Sequence, residues 1–166
     1  MMGTIRMFHD RYRVPVILSH GEDRSYLVAP EIAKRNLHMD VGPRIYDPPF
    51  WSFQERFIGI PLYYYSHGVR KLSINTDSPV VPQEDLIVQA AMAVRYGLPE
   101  RVALDGVTIS PARAVLAADR VGSIEVGKDA DIVLWSGSPL DVRSYVVFTM
   151  INGRIVYDLR QDRRRY

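Results

Sequence analysis

Short apolar runs and helically spaced apolar residues alternate along the chain as far as residue 119. The runs predict three buried strands, at residues 14–19, 38–41 and 69–74. Apolar residues that recur on one helical face predict four helices, at residues 4–12, 25–35, 84–96 and 110–119. The segment 44–62, rich in proline and aromatic residues, is predicted to be a long connecting loop. Because strands that alternate with helices form parallel sheets with helical crossovers, this part of the chain is predicted to be α/β.

The pattern changes after residue 120, where short apolar runs follow one another with turns between them. Residues 132–135 form one such run, and residues 146–151 and 154–157 form two more. The last two runs are separated by Asn152-Gly153, a pair that accommodates the positive φ angles of a type I′ turn. The spacing predicts a small antiparallel unit that contains a hairpin.

The amino-acid composition excludes several classes of protein. The chain has 166 residues, of which 47% are hydrophobic and 24% charged, and these values exclude a disordered chain. The formal net charge of +2 indicates neither a nucleic-acid partner nor a membrane partner. The absence of cysteine excludes disulfides, thiolate metal ligands and a cysteine nucleophile. Since no apolar run has the roughly 20 residues of a transmembrane helix, and the first residues lack signal-peptide features, we expect a cytoplasmic protein.

Residues 159–166 form a basic tail with four arginines. We interpret this tail as a solvated, frayed terminus, which is the usual behaviour of a charged chain end. The alternative is electrostatic binding of nucleic acid, in which case affinity would fall steeply with added salt.

Polar residues follow the ends of the predicted strands, with His20 after the first, Arg44 beyond the second and Asp77 after the third. In parallel α/β folds the carboxyl ends of strands face the ligand. There a histidine and an aspartate can coordinate a divalent metal, and a carboxylate can take a proton from water. Two other interpretations stay open at this point: His20 as an ordinary turn residue, and Asp77 as the cap of a turn before Pro79.

Five segments, in order, resemble the carboxy-terminal part of the amidohydrolase superfamily, close to its imidazolonepropionase-like branch. They are VILSHG (16–21), DVGPR (40–44), SINTDSPVVP (73–82), VTISPARAVLAADRVGSIEVGKDADIVLWSGSPLD (107–141) and INGRIVYD (151–158). The resemblance implies an α/β fold with the last three strands and helices of a (β/α)8 TIM-type barrel over residues 1–120. A β-sandwich segment is implied over residues 121–158.

The resemblance also implies roles for the residues at the strand ends. His20 would bind a metal ion or orient water and substrate, and Asp77 would be both a metal ligand and the general base and acid. Arg44 is selected by its position alone: it follows a strand end, where its guanidinium could hold a substrate carboxylate with two hydrogen bonds. A salt-bridged or solvated arginine is the alternative. The aromatic residues 48–53 and 63–65 either pack in the core and loops or line a substrate pocket.

The chain departs from the family in its metal ligands. The family carries a His-x-His pair and further ligands on earlier strands, and no His-x-His pair occurs here. The remaining histidines are expected to be packed or at the surface: His9, His38 and His67. A catalytic zinc site needs about three protein ligands, so the remaining ligands for one or two ions, expected to be zinc, are not in this chain.

These observations predict part of a metal-dependent hydrolase that attacks carbon–nitrogen bonds in small amide-type molecules. We expect it to assemble with a complementary N-terminal chain or with copies of itself. The alternative is a non-catalytic remnant or subunit that packs on a partner chain or on itself.

Overall fold

The computed structural model describes residues 1–52 and 54–161. The strands are β1 (Ile17–His20), β2 (His38–Val41), β3 (Tyr46–Asp47), β4 (Ile58–Gly59), β5 (Lys71–Ile74), β6 (Ile132–Trp135), β7 (Val146–Ile151) and β8 (Arg154–Asp158). Strands β1, β2 and β5 form a parallel sheet in that order, and β3 pairs with β4 in a short antiparallel ribbon. Strands β6, β7 and β8 form a separate antiparallel sheet. The described chain is therefore α/β, with an antiparallel unit after the parallel sheet.

Helices connect the parallel strands and follow them. The α-helices are α1 (Met2–Thr4), α2 (Ala29–Lys34), α3 (Ile60–Ser66), α4 (Leu86–Arg95), α5 (Glu100–Gly106) and α6 (Ile109–Ala114). A π-helical segment, Ile5–Arg11, continues α1, and short 3₁₀ segments, Ser25–Val28 and Gln83–Asp85, lead into α2 and α4. Across the described residues, no helix combines the length and apolarity needed to cross a bilayer.

The predicted strands are all present, with small shifts at their ends. Strand β2 has the predicted bounds, whereas β1 begins at Ile17, after Pro15, which has no N–H to donate to a neighbouring strand. The hairpin strands and the Asn152-Gly153 turn are confirmed, and both turn residues have positive φ. These elements were predictable because apolar residues recur in each strand, consecutively in β6 and alternating with polar residues in β2 and β5.

Two predictions about other elements were wrong, and one helix was not predicted. The segment 44–62 is not a continuous loop, because it contains β3 and β4, and α3 begins at Ile60. Helix α5 was not predicted, since its seven residues are too few to show a helical period. Helix α6 ends at Ala114 and does not reach residue 119, because Leu116 adopts a left-handed conformation with φ of 60°.

One face of the parallel sheet is apolar and buried. Its side chains alternate along the strands, as the period of two requires, and each is at most 5% exposed: Leu18, Met39, Val41, Leu72 and Ile74. They belong to one core with residues of the helices and their connections, among them Ile5, Tyr26, Ile32, Ile60, Tyr64, Ala90, Ala93 and Ala103. This core holds the three strands against the helices.

The opposite face of the parallel sheet is polar. Ser19, Asp40 and Ser73 lie side by side across the three strands. The Asp40 carboxylate accepts hydrogen bonds from Ser73 Oγ at 2.5 Å, from Asn75 Nδ2 at 2.6 Å and from Ser19 Oγ at 3.3 Å. One carboxylate thus joins β2 to both of its neighbours.

His38 extends this polar face towards the amino ends of the strands. It is buried, and its Nε2 lies 2.8 Å from Ser73 Oγ. Burial lowers the pKa of His38, although the nearby Asp40 carboxylate acts in the opposite direction. Since the Ser73 hydroxyl donates to Asp40, the neutral His38 ring donates from Nε2 to Ser73.

The antiparallel sheet of β6, β7 and β8 has no buried residue. No described residue from 113 to 161 is buried. Val133 and Leu134 are neighbours in β6, so their side chains point to opposite faces, and they are 48% and 45% exposed. Neither face of this apolar sheet is therefore covered within the described part of the chain.

We expect the Asp40→Asn substitution to lower the free energy of unfolding by about 2–4 kcal/mol. The asparagine amide group cannot accept all three hydrogen bonds, and bonds to a charged acceptor are the stronger class. Urea denaturation followed by circular dichroism measures the loss. Ser19→Ala is the matched control, since it removes only the longest and most exposed of the three bonds. If Asp40→Asn lowered the free energy of unfolding by less than Ser19→Ala does, the role given to the Asp40 carboxylate in joining the strands would be wrong.

We also expect the free energy of unfolding to fall as pH drops below about 6.5. The pKa of His38 in the folded chain lies below its ordinary value of 6.5, so the unfolded chain binds a proton first as pH is lowered. Unfolding at pH 7.5 and 5.5 would show this dependence, and His38→Gln, which keeps a donor for Ser73, is expected to reduce it. His67→Gln, at an exposed position, is the control for the replacement of a histidine.

Candidate functional site

The carboxyl end of the parallel sheet brings His20 and Asp77 together. His20 is the last residue of β1, and Asp77 follows β5 after two residues. Their side chains approach to 4.0 Å between Nδ1 of His20 and Oδ2 of Asp77, and they are 51% and 44% exposed. The two residues that the strand ends singled out are therefore neighbours, and both are open to a ligand.

Backbone conformation sets where these side chains lie. Both residues have positive φ angles, 71° for His20 and 48° for Asp77. This left-handed conformation is uncommon for residues other than glycine. It ends β1 at His20, and at Asp77 it lies in the turn that follows β5. Strained conformations of this kind cluster at functional sites, which makes the pair a candidate site.

The ring orientation of His20 depends on Gly42. Nδ1 of His20 lies 3.1 Å from the carbonyl oxygen of Gly42, and the Gly42 N–H donates to the carbonyl of His20. With Nδ1 donating to that carbonyl, Nε2 presents its lone pair to a ligand, an arrangement typical of metal-binding histidines. The sequence interpretation missed Gly42 as a site residue, although it stands at a strand end in DVGPR.

Gly42 cannot be replaced by a larger residue in this conformation. It has a φ of 147°, and a Cβ atom added to it would lie 2.1 Å from the carbonyl oxygen of Asn75. The turn after β2 is therefore in direct contact with the backbone that follows β5. This close approach links the backbone that carries His20 to the backbone that leads to Asp77.

Asn75 connects the site to the polar face of the sheet. Its Nδ2 donates to Asp40, while its Oδ1 is buried and has no hydrogen-bond donor among the described residues. Sequence reasoning did not select Asn75 or assign a role to Asp40. The sequence does contain a signal for them, because polar residues two positions apart lie on the same face of a strand. His38 and Asp40 have this spacing in β2, and Ser73 and Asn75 have it in β5 and directly after it.

Arg44 lies in a set of ionic contacts beside the site. Its Nη2 is 2.5 Å from a carboxylate oxygen of Asp23, and its Nε is 3.0 Å from Asp47. The guanidinium also lies over the ring of Trp51, 4.9 Å from the centroid. Asp47 is only 1% exposed and accepts a hydrogen bond from Tyr26 at 2.9 Å. In this structure Arg44 is therefore salt-bridged, with one exposed partner and one buried partner.

The aromatic segment after β3 lines a small cavity next to Arg44. This cavity has a volume of about 270 Å³, and its lining residues are Asp23, Arg24, Arg44, Asp47, Phe50 and Trp51. Phe50 and Trp51 are 77% and 52% exposed, so this part of the segment does not pack in the core. Phe53, at the end of the same predicted segment, lies outside the described residues.

His20 and Asp77 supply the donor atoms of a metal site but not their full number. An imidazole nitrogen and a carboxylate oxygen are ordinary ligands of a divalent ion. Within residues 1–52 and 54–161, however, no three histidine, aspartate or glutamate side chains are grouped to hold one. His38 is buried in the sheet and His67 stacks on Tyr63 at 4.0 Å between ring centroids. His20 and Asp77 are therefore candidates for two ligands of a metal site, and no third candidate lies beside them within the described residues.

Residues 62–156 match the sequence profile of the amidohydrolase family. Amidohydrolase tasK of Hapsidospora irregularis is 31% identical over 157 residues, which cover 90% of this chain and 15% of that protein. The imidazolonepropionase of Thermoplasma acidophilum is 36% identical over 94 residues, which cover 52% of this chain and 23% of that protein. The crystal structure of an amidohydrolase from Thermotoga maritima MSB8 superposes with a TM-score of 0.80 at 31% identity, covering 95% of this chain and 40% of that chain.

The chain thus spans less than a quarter of the length of these two curated relatives and 40% of the solved structure. The family match includes Asp77 and the antiparallel sheet, and the likeness to the Thermotoga protein extends over nearly the whole chain. The family profile, the related sequences and the likeness to the solved structure agree: this chain belongs to the amidohydrolase family.

Proposed function

We propose that this chain is part of a metal-dependent hydrolase that cleaves carbon–nitrogen bonds in small amide-type substrates. The observation that carries the proposal is the approach of His20 and Asp77 to 4.0 Å at the carboxyl end of the parallel sheet. Family membership supports the reaction class, and both side chains are accessible to substrate. The relatives are much longer than this chain, so the proposal concerns an assembly to which the chain contributes part of the site.

We propose that residues 1–120 form the last portion of a (β/α)8 barrel and that residues 121–158 form a segment of a β-sandwich. Three parallel strands with one polar and one buried apolar face support the first assignment. A three-stranded apolar sheet with both faces exposed supports the second, because a sandwich needs a second sheet. Residues 159–166 would be a basic tail, of which 162–166 lie outside the described residues.

Asp77 would act as general base and then as general acid. Its carboxylate has no hydrogen-bond donor among the described side chains and is close to half exposed, so it can reach a water molecule. It would take the proton of the attacking water and then deliver it to the leaving nitrogen, which needs a proton to depart as an amine. Asp77 thereby returns to its starting state.

His20 would hold a metal ion through Nε2 or orient the water and substrate with the same atom. We propose zinc, as one or two ions, because imidazole and carboxylate donors suit that metal. When bound, such an ion lowers the pKa of coordinated water towards about 7. The ligands that this chain lacks would come from a complementary N-terminal chain or from another copy of this one.

Arg44 would bind a carboxylate of the substrate. Its partner Asp23 is 84% exposed and can be exchanged for a substrate group, while the buried Asp47 keeps the guanidinium in place. The adjacent cavity of about 270 Å³, with Phe50 and Trp51 in its wall, would take an apolar part of the same substrate.

A second candidate function is that of a non-catalytic subunit. It is favoured by the incomplete set of metal ligands within the described residues. Such a subunit would assemble with a partner without gaining hydrolase activity. The two candidates differ in whether the assembled protein binds a metal and turns over an amide.

The isolated chain is expected to hold no metal after exhaustive dialysis, because two protein ligands do not retain zinc tightly. Assembly with an N-terminal half that carries a His-x-His pair is expected to retain about one or two zinc ions per chain. Elemental analysis of the dialysed protein measures both. His20→Ala is expected to lower the retained zinc, and His67→Ala is the control. An assembly that retains no zinc would favour the non-catalytic subunit.

In the assembled enzyme, Asp77→Asn is expected to reduce the rate of amide hydrolysis by about 10²–10⁴-fold, the usual contribution of a general acid–base residue. Release of amine from a panel of N-acyl amino acids measures the rate. Asp119→Asn, at an exposed position away from the strand ends, is the matched control and is expected to leave turnover unchanged. Equal turnover by the Asp77→Asn variant would show that the assigned role is wrong.

A further inference from the structure

The turn after β2, residues 42–44, has few main-chain groups with which to hold itself in place. The Gly42 N–H donates to the carbonyl of His20 at 3.2 Å. Pro43 has no N–H, so it cannot add a second bond of this kind. The position of the turn therefore depends on side chains that reach it from other segments.

One of these side chains is Gln89, on the buried side of α4. Its Nε2 donates to the Pro43 carbonyl at 2.8 Å, and Gln89 is 9% exposed. The other buried residues of α4 are Ala90 and Ala93, which are apolar and small. Placing an amide among them is unfavourable unless the amide is hydrogen-bonded, so the contact with Pro43 accounts for a glutamine at this position.

The contact between Gln89 and Pro43 lies one peptide unit away from the atom that orients His20. Nδ1 of His20 lies 3.1 Å from the Gly42 carbonyl oxygen. The Gly42 and Pro43 carbonyls are separated by Pro43 alone, and the proline ring fixes the φ angle of that residue. A movement of one carbonyl therefore moves the other.

Glu22 also reaches the turn, but it does not connect the same elements. Its Oε1 accepts a hydrogen bond from the Arg44 N–H at 2.6 Å. Glu22 lies two residues beyond His20, so this bond joins the turn to the segment that already carries His20. Gln89 instead belongs to α4, which follows the turn that carries Asp77. The Gln89 contact therefore relates the position of His20 to the segment of Asp77.

We propose that Gln89 is a positioning residue for His20. By holding the Pro43 carbonyl, Gln89 fixes the Gly42 carbonyl, which accepts a hydrogen bond from Nδ1 of His20 and leaves the lone pair on Nε2. The ring is then presented to a metal ion or to substrate in one orientation, and outer hydrogen bonds of this kind set the affinity of a histidine ligand. That consequence rests on the proposed function, whereas the position of the proton on His20 does not.

Nitrogen-15 NMR of the imidazole rings in the full chain tests the proposal, because it reports which ring nitrogen carries the proton. The spectra are recorded at about pH 8.5, well above the ordinary histidine pKa of about 6.5. The signals of His20 are those missing from the spectrum of the His20→Gln variant. We expect His20 of the natural chain to carry its proton mainly on Nδ1.

In Gln89→Met, the ratio of Nδ1-protonated to Nε2-protonated His20 is expected to fall by at least about threefold, the scale of one net hydrogen bond. Methionine keeps the length and the helix propensity of glutamine but has no N–H to donate. Gln89→Asn, whose side chain is one methylene shorter, is expected to change the ratio in the same direction. It provides the same test if the methionine variant does not fold.

Two controls separate positioning from a general loss of stability. Gln83→Met is the same replacement at an exposed glutamine before α4, and it is expected to leave the ratio unchanged. Ala90→Gly weakens α4 itself and keeps the Gln89 amide, so it is expected to lower the melting temperature without changing the ratio.

The proposal is wrong if His20 of the natural chain carries its proton mainly on Nε2, or if Gln89→Met leaves the ratio unchanged. It is also wrong if Ala90→Gly changes the ratio as much as Gln89→Met does, since the glutamine would then act through packing alone. None of these measurements needs a metal ion, a partner or a substrate. A lowered ratio in a chain whose assembly retains no zinc would therefore count against the proposed hydrolase and support the role of Gln89.

Discussion

The Asp40 carboxylate is the interaction on which the parallel sheet and its candidate site depend. It lies on the central strand and accepts hydrogen bonds from residues of both outer strands and from Asn75, directly beyond the end of β5. The apolar face packs the strands against the helices, but apolar packing alone is not directional. The charged hydrogen bonds set how the strands end relative to one another, and the separation of His20 and Asp77 follows from that.

The described residues leave three kinds of surface or site incomplete. One sheet has two open edges, the other has two uncovered faces, and the candidate metal site has two of the ligands it needs. These are different kinds of deficit, in backbone hydrogen bonds, apolar burial and metal coordination. Additional polypeptide could supply all three, so the proposed assembly would complete them together.

Much of the fold was predictable from the sequence because apolar residues recur in each strand and turn or polar residues follow it. The pair His20 and Asp77 was predictable for the same reason, since carboxyl ends of parallel strands meet at one edge. The positions of Gly42 and Asn75 were not, because their role depends on a backbone contact between segments distant in the chain. Arg44 illustrates the same limit: its pairing with Asp23 and the buried Asp47 depends on two loops packing together.

The uncovered antiparallel sheet affects how quickly the chain would be degraded inside a cell. No described residue from 113 to 161 is buried, and Leu140 is the one hydrophobic residue among them that packs against the core, so little opposes local opening of this segment. Each opening exposes apolar strands to proteases and to chaperones that bind unfolded segments. Synthesis of the chain without whatever covers this sheet would therefore be followed by rapid turnover. The steady amount of the chain would then be matched to the supply of its covering polypeptide, without any dedicated regulator of expression.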